Sequence, residues 1–129
     1  MTFKKKRLGA RGEEIAARYL KKRGYRIVDR NYRNRLGEID IVAEQGGSLV
    51  FVEVRTRSDI VFGSPFESVT VQKQQQLSKV ALEYINQMGC HNRAARFDVV
   101  GVQMKQGSDN GHEAAVELLQ NAFDLCYGS

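Results

Sequence analysis

Two carboxylates stand inside runs that otherwise read as buried strands. Glu53 sits in the middle of "LVFVEVRTR" (49–57), and Asp40 sits in "EIDIVA" (38–43). Side chains alternate across a strand. One face of the longer run therefore carries Val50, Val52, Val54 and Thr56, and the other carries Leu49, Phe51, Glu53, Arg55 and Arg57. In the shorter run Ile39, Ile41 and Ala43 share one face, and Glu38, Asp40 and Val42 share the other. The all-apolar faces are expected to enter the core, which places the carboxylates together on the opposite face.

Gly46-Gly47 lies between the two runs and signals a tight hairpin. A two-residue turn pairs Gln45 with Ser48 and puts Asp40 opposite Glu53 and Glu38 opposite Arg55. A slip by two residues keeps the faces matched but separates the pair. Directly opposed side chains have Cβ atoms about 4.5–5.5 Å apart, and like charges at that spacing are destabilising. Two such carboxylates need a proton, a basic side chain or a metal ion between them. The plainer alternative is a salt-bridge ladder of Glu38, Asp40, Glu53, Arg55 and Arg57 on a wet sheet face, which contributes little stability.

The preceding segment supplies a third acid. A helix is expected over about 8–23, ended by Gly24, with Ile15, Ala16, Tyr19 and Leu20 as its apolar face. Glu13 flanks that face, whereas Glu14 points to solvent. A second helix is expected from a Thr70 cap to about Met88. In it Gln74 lies in line with Leu77 and Ala81, and Lys73 is nearer the flank.

Around these elements, strands are expected over 25–33, 38–43, 49–56, 96–104 and 114–119. A loop holds Gly63 and Pro65, a turn holds "QGSDNGH", and a short helix is expected to close the chain. The order αβββαββ implies a single α/β domain over 1–129, with a central mixed β-sheet flanked by helices and a flexible basic arm at 1–7.

Charge is unevenly spread. Residues 1–35 hold thirteen Lys/Arg and three acids, while the rest of the chain is net negative. A polyanionic partner is expected for the first quarter, nucleic acid being the commonest. A membrane partner is not expected, because no run is long and apolar enough to span a bilayer and the basic helix lacks a wide bulky apolar face. The start is basic with no apolar stretch behind it, so no secretory signal is expected. Cys90 and Cys126 lie far apart, which suits free thiols in a reducing, cytoplasmic setting. His91 beside Cys90 lacks the further ligands that a zinc site needs.

Four blocks carry a resemblance: "GARGEEIAARYLKKRGYRIVDRNYRNRLGEIDIVA", "LVFVEVRTR", "FGSPFESVTVQKQQQL" and "RFDVVGV". In this order they closely resemble the bacterial YraN family over roughly 8–124. That family is grouped with the PD-(D/E)XK nuclease superfamily and resembles archaeal Holliday junction resolvases. The resemblance implies a restriction-endonuclease-like domain, Mg²⁺ or Mn²⁺ as cofactor, and phosphodiester hydrolysis. The superfamily's helix glutamate falls on Glu13, its aspartate on Asp40, and its E-x-K element on Glu53-Val54-Arg55, with arginine in place of lysine. Asp40, Glu53, the Val54 carbonyl and Glu13 are the implied metal-site residues. Arg55 and Gln74 complete the implied catalytic set, with Lys73 as the alternative on the second helix. Lys4, Lys5, Lys6, Arg7, Arg11, Arg57 and Lys73 are the expected nucleic-acid contacts.

Arginine stays protonated, so Arg55 is not a general base; its guanidinium can stabilise phosphate charge. Two functions follow as expectations. One is a metal-dependent endonuclease acting on DNA, branched or structured, in which a homodimer addresses two strands. The other is a non-catalytic nucleic-acid-binding or adaptor module on the same fold. A ribosome-linked RNA role rests on the high pI alone, and the basic stretch has few aromatic residues for base stacking.

Overall fold

The computed structural model describes residues 3–58, 64–104 and 114–124, with side chains in the first helix from Leu8 onward. The chain begins with helix α1 (Phe3–Lys22), followed by strands β1 (Arg26–Asn34), β2 (Gly37–Gln45) and β3 (Ser48–Arg57). A short 3-10 turn (Pro65–Ser68) leads into helix α2 (Val71–Met88), and strands β4 (Ala95–Met104) and β5 (Ala114–Phe123) complete the order. The five strands form one sheet in sequence order. β1, β2 and β3 are an antiparallel meander, β3 and β4 run parallel, and β5 returns antiparallel to β4. The parallel step needs a long crossover, which α2 supplies. This is the α/β, mixed-sheet architecture expected of the sequence.

Local signals account for the boundaries. Thr70 caps α2 by accepting a hydrogen bond from the Lys73 N–H at 3.1 Å, and Gly89 closes it with φ 65°. Gly46 and Gly47 both have positive φ, and the two-residue turn pairs Gln45 with Ser48 as the sequence implies. Two boundaries move. α1 starts at Phe3 rather than near residue 8, so part of the expected arm is helix; the Lys and Arg residues there are good helix formers with no breaker among them. β5 extends to Phe123, past the expected 119, into the region assigned to a closing helix. The "QGSDNGH" turn, Gly63 and Cys126 lie outside the described residues.

Both sheet faces are covered, as expected of a sheet flanked by helices, and this corrects only the alternative of a salt-bridge ladder on a wet face. α1 packs Ala16, Ala17 and Leu20 on Ile41, Ala43, Val50, Val52, Val100 and Val102. α2 packs Leu77, Val80, Ala81 and Tyr84 on Val42, Leu49, Phe51, Phe97 and Val99. The carboxylate face is therefore the α2 face, and its acids stand beside a second hydrophobic core. Such a strand reads as nearly continuous apolar sequence, as Leu49–Val52 does.

A second correction concerns Ile39. It packs with α2, whereas Ile41 and Ala43 pack with α1. β1 makes the same reversal. Arg30 reaches Glu14 of α1, but Tyr32 stacks edge-on against Tyr84 of α2. Between these residues lies Asn31, at φ 56°. A left-handed residue rotates the chain, so the pairs Arg30–Ile41 and Tyr32–Ile39 face opposite sides, leaving Asn31 and Asp40 at the turnover.

Candidate functional site

The regular ladder between β2 and β3 runs from Gln45–Ser48 to Ile41–Val52. Asp40 and Glu53 are the next step, and there the pairing changes character. Instead of backbone pairing to backbone, the Asp40 carboxylate Oδ2 accepts the Val54 N–H at 2.8 Å. The side chain thus satisfies the amide where the two strands part. Glu53, only 6% exposed, lies against Asp40 closely enough for the two carboxyls to share a hydrogen bond.

Burial and proximity set the electrostatics of the pair. Glu53 is pushed up to about 7, first by burial and then by the Asp40 charge, with Arg55 and Lys73 pulling the other way. Asp40 is also raised, by burial first, and the Val54 N–H opposes that rise. One proton held between two acids near neutral pH is the expected behaviour of like charges enclosed together. Of the two, Glu53 is the group that holds it.

The neighbours are arranged around this pair. Arg55 Nη2 lies 3.3 Å from Glu53 Oε2 and also donates to the Ser68 carbonyl at 3.3 Å. Its Nε is buried and has no hydrogen-bond partner among the described residues. Arg57 donates to the Ser64 carbonyl at 3.4 Å, so both arginines meet the 3-10 segment before α2. The Lys73 ammonium acts on both carboxyls. Gln74 turns its amide nitrogen to the Val69 carbonyl at 3.0 Å and so braces the start of α2. Glu38, expected opposite Arg55, pairs instead with Arg33 at 2.5 Å, because the β2–β3 ladder has ended by that point.

α1 brings Glu13 to the same end of the sheet. Gly12 makes this approach feasible, since a Cβ there would lie 1.9 Å from Thr56 Oγ1 on β3. Glu13 is half-buried, and its carboxyl is raised by burial first and by Asp40 second, while a hydrogen bond with the Asn31 side chain opposes the rise. Glu14, on the outer side, forms exposed ion pairs with Arg18 at 3.3 Å and Arg30 at 2.9 Å. Arg11 is exposed on α1. The side chains of Lys4, Lys5, Lys6 and Arg7 lie outside the described residues.

Asn31 is the site residue that sequence reasoning missed. It turns over both strands beside Asp40 and also reaches Glu13. The available signal is its type, since asparagine is among the few residues that adopt positive φ.

The donor set has a definite chemistry. Two carboxylates, with the Val54 carbonyl next to Glu53 in sequence, are oxygen donors of the kind a hard divalent cation takes. Once Glu53 gives up its proton the two like charges stand together, which gives such an ion a reason to bind. Among the described residues no three His, Cys, Asp or Glu side chains gather as a metal-binding group. The fit is therefore to a two-carboxylate site of the Mg²⁺ kind, which retains several waters, with Glu13 as a neighbour of the pair. Among the described residues no helix is long and apolar enough to cross a membrane.

A family model described as "Uncharacterised protein family UPF0102" matches residues 12–102, a span that holds Glu13, Asp40, Glu53, Arg55 and Lys73. The chain is similar to a UPF0102 protein of Trichlorobacter lovleyi, 48% identical over 121 residues and covering 93% of this chain and 92% of the relative. It is also similar to a UPF0102 protein of Moorella thermoacetica, 47% identical, covering 95% of this chain and 100% of the relative. A third relative, UPF0102 protein RHA1_ro06551 of Rhodococcus jostii, is 45% identical over 90% of this chain and 95% of its own length.

Proposed function

The chain belongs to the uncharacterised protein family UPF0102, the YraN family, and we propose that it is a metal-dependent endonuclease hydrolysing phosphodiester bonds of DNA, with branched or structured DNA as the substrate. One observation carries this reading. The half-buried Asp40 and the buried Glu53 meet where two strands separate beside a lysine and an arginine.

Asp40 and Glu53 would hold Mg²⁺ or Mn²⁺, with the Val54 carbonyl as a further oxygen donor. Such an ion, when bound, supplies an acidified water and neutralises phosphate charge. The protein's own residues do the rest. The Val54 N–H fixes the Asp40 carboxylate. The Ser68 carbonyl and Glu53 fix the Arg55 guanidinium, whose fork of donors suits phosphate oxygens. Lys73 adds a second positive charge on the α2 side. The exposed Arg11 of α1 and the basic residues before it would bind backbone phosphates without reading sequence.

The test is a cleavage assay on linear, flapped and four-way DNA and on RNA, in Mg²⁺ and in Mn²⁺. Asp40→Asn and Glu53→Gln are purified and assayed alongside to expose contaminating nucleases. Wild-type cleavage lost in both variants supports the proposal. Cleavage that persists in both, or is absent from wild type on every substrate, refutes it.

A second reading has a specific observation in its favour. The motif position that takes lysine in the nuclease superfamily is Arg55, which is not a general base and is tied to Glu53 and Ser68. A non-catalytic nucleic-acid-binding module on this fold would bind DNA in a salt-sensitive manner and leave it uncut in either metal.

A further inference from the structure

A groove of about 750 Å³ opens between the β1–β2 connection and the first turns of α2. Its walls include Arg35, Lys73, Lys79, Gln72, Gln75 and Gln76, and among the described residues no carboxylate lines it. We propose that this groove seats a single, unpaired strand of nucleic acid next to the carboxylate pair. The proposal rests on the nuclease reading and deepens it: the substrate carries a single-stranded segment beside the cleaved bond.

Three observations support it. The first is continuity. Lys73 lines the groove and also acts on Asp40 and Glu53, so a strand lying there would lead into the acidic pair. The second is composition. Gln72, Gln75, Gln76 and Lys79 recur at helical spacing on the exposed side of α2, opposite the buried Leu77, Val80 and Ala81. A solvated helix face normally mixes acids with its lysines, yet the first acid of α2 is Glu83. Glu83 stands outside the groove, in an exposed pair with Arg35 at 3.4 Å. The cations within the groove thus suit phosphates, and the amides both donate and accept, as the edges of unpaired bases require.

The third observation is size. The volume falls within the range that encloses a drug-sized ligand, about 300–1,000 Å³, which one or two nucleotides match. The turn side is fixed as well: a Cβ at Gly37 would lie 3.2 Å from Gln76 Nε2 and 3.1 Å from Val80, so β2 is packed closely on α2 at the base of the groove.

The experiment measures fluorescence anisotropy of labelled oligonucleotides with the full chain. The ligands are a single DNA strand, the same strand as RNA, a blunt duplex and a flapped duplex. Wild type is compared with Arg35→Ala/Lys79→Ala and with Gln72→Ala/Gln75→Ala; all four positions are exposed, and circular dichroism confirms folding. The charge variant is expected to weaken single-strand and flap binding about tenfold and to reduce the salt slope by about 1.4, the value for two lost phosphate contacts on a single strand. The amide variant is expected to weaken single-strand binding several-fold with the salt slope unchanged. Blunt-duplex binding changes less than twofold in both. Equal loss on strand and duplex, or no loss on either, overturns the groove proposal and leaves the nuclease reading standing if wild type still cleaves. Absence of any nucleic-acid binding by wild type overturns both. The RNA arm identifies the sugar, since either strand in the groove meets the prediction.

Discussion

Two buried acidic centres share this sheet and are built in opposite ways. Asp98, with 0% of its surface exposed, accepts the Tyr25 hydroxyl at 2.6 Å, Arg96 at 3.0 and 3.2 Å, and the Asn121 N–H at 2.9 Å. The shell continues outward: Arg96 donates to Gln45 at 2.6 Å, and Gln120 donates to the Tyr25 hydroxyl at 2.8 Å. The centre near Asp40 has one backbone N–H at 2.8 Å, a guanidinium at 3.3 Å, and a second acid pressed against the first. Donors saturate Asp98 and tie the start of β1 to β2, β4 and β5. The four carboxyl oxygens of the Asp40–Glu53 pair meet fewer donors than the two of Asp98. Burial therefore does not by itself mark a functional acid; buried acids short of donors are the better candidates.

The sharpest way to break this contrast is to remove the saturated acid. Asp98→Ala leaves Arg96 charged, largely enclosed and unpaired, which is expected to cost about 3–5 kcal/mol in urea unfolding. A loss under about 1 kcal/mol would put the two centres in the same class.

Glu53 is expected to behave with the opposite sign. Its folded carboxyl titrates near 7 against an ordinary 4.5, so between those values the folded chain holds a proton that the unfolded chain has lost. Stability of the metal-free protein should then fall as pH rises through that window and level off above it. The total is on the order of 3 kcal/mol. Glu53→Gln should flatten the profile and stabilise the chain at pH 8, as measured by urea unfolding across pH. Unchanged pH dependence in the variant would show that Glu53 carries no trapped proton.

A smaller effect probes the strand turnover. Asn31→Ala keeps a Cβ at φ 56° and loses the hydrogen bond to Glu13, and about 1 kcal/mol of destabilisation is expected. Asn31→Gly should recover the backbone part of that loss. If the two variants unfold at the same urea concentration, the left-handed backbone contributes nothing. The smallest effect is expected at Glu14, whose ion pairs are exposed. Glu14→Gln should shift neither the unfolding midpoint nor metal binding, because water competes for such pairs.

The sequence was most informative where local chemistry decides structure. Gly46-Gly47 set the hairpin register, Thr70 and Gly89 bounded α2, and alternation placed Glu53, Arg55 and Arg57 on one face. From these, the meeting of Asp40 with Glu53 was legible. What was hidden depends on tertiary packing. Alternation in Ile39–Ala43 implied one apolar face, but a single left-handed Asn31 reverses the strand and sends Ile39 to the other side. A second helix over the acid-bearing face could not be read from β3, since Leu49 and Phe51 suit either a wet edge or a second core. Asp98 in "RFDVVGV" carried the same signal as Glu53, a lone acid in an apolar strand. Only its four hydrogen bonds, from Arg96 of its own strand and from two other segments, show that it is structural.

In the proposed site, Asp40 and Glu53 together hold a divalent cation. Titration of Mn²⁺ into the purified chain at pH 8, followed by calorimetry and by the electron paramagnetic resonance of free Mn²⁺, tests it most directly. One Mn²⁺ is expected to bind per wild-type chain, with binding lost in Asp40→Asn and in Glu53→Gln and retained in Glu14→Gln. Wild type that takes up no Mn²⁺, or Asp40→Asn and Glu53→Gln variants that take it up as wild type does, would contradict it.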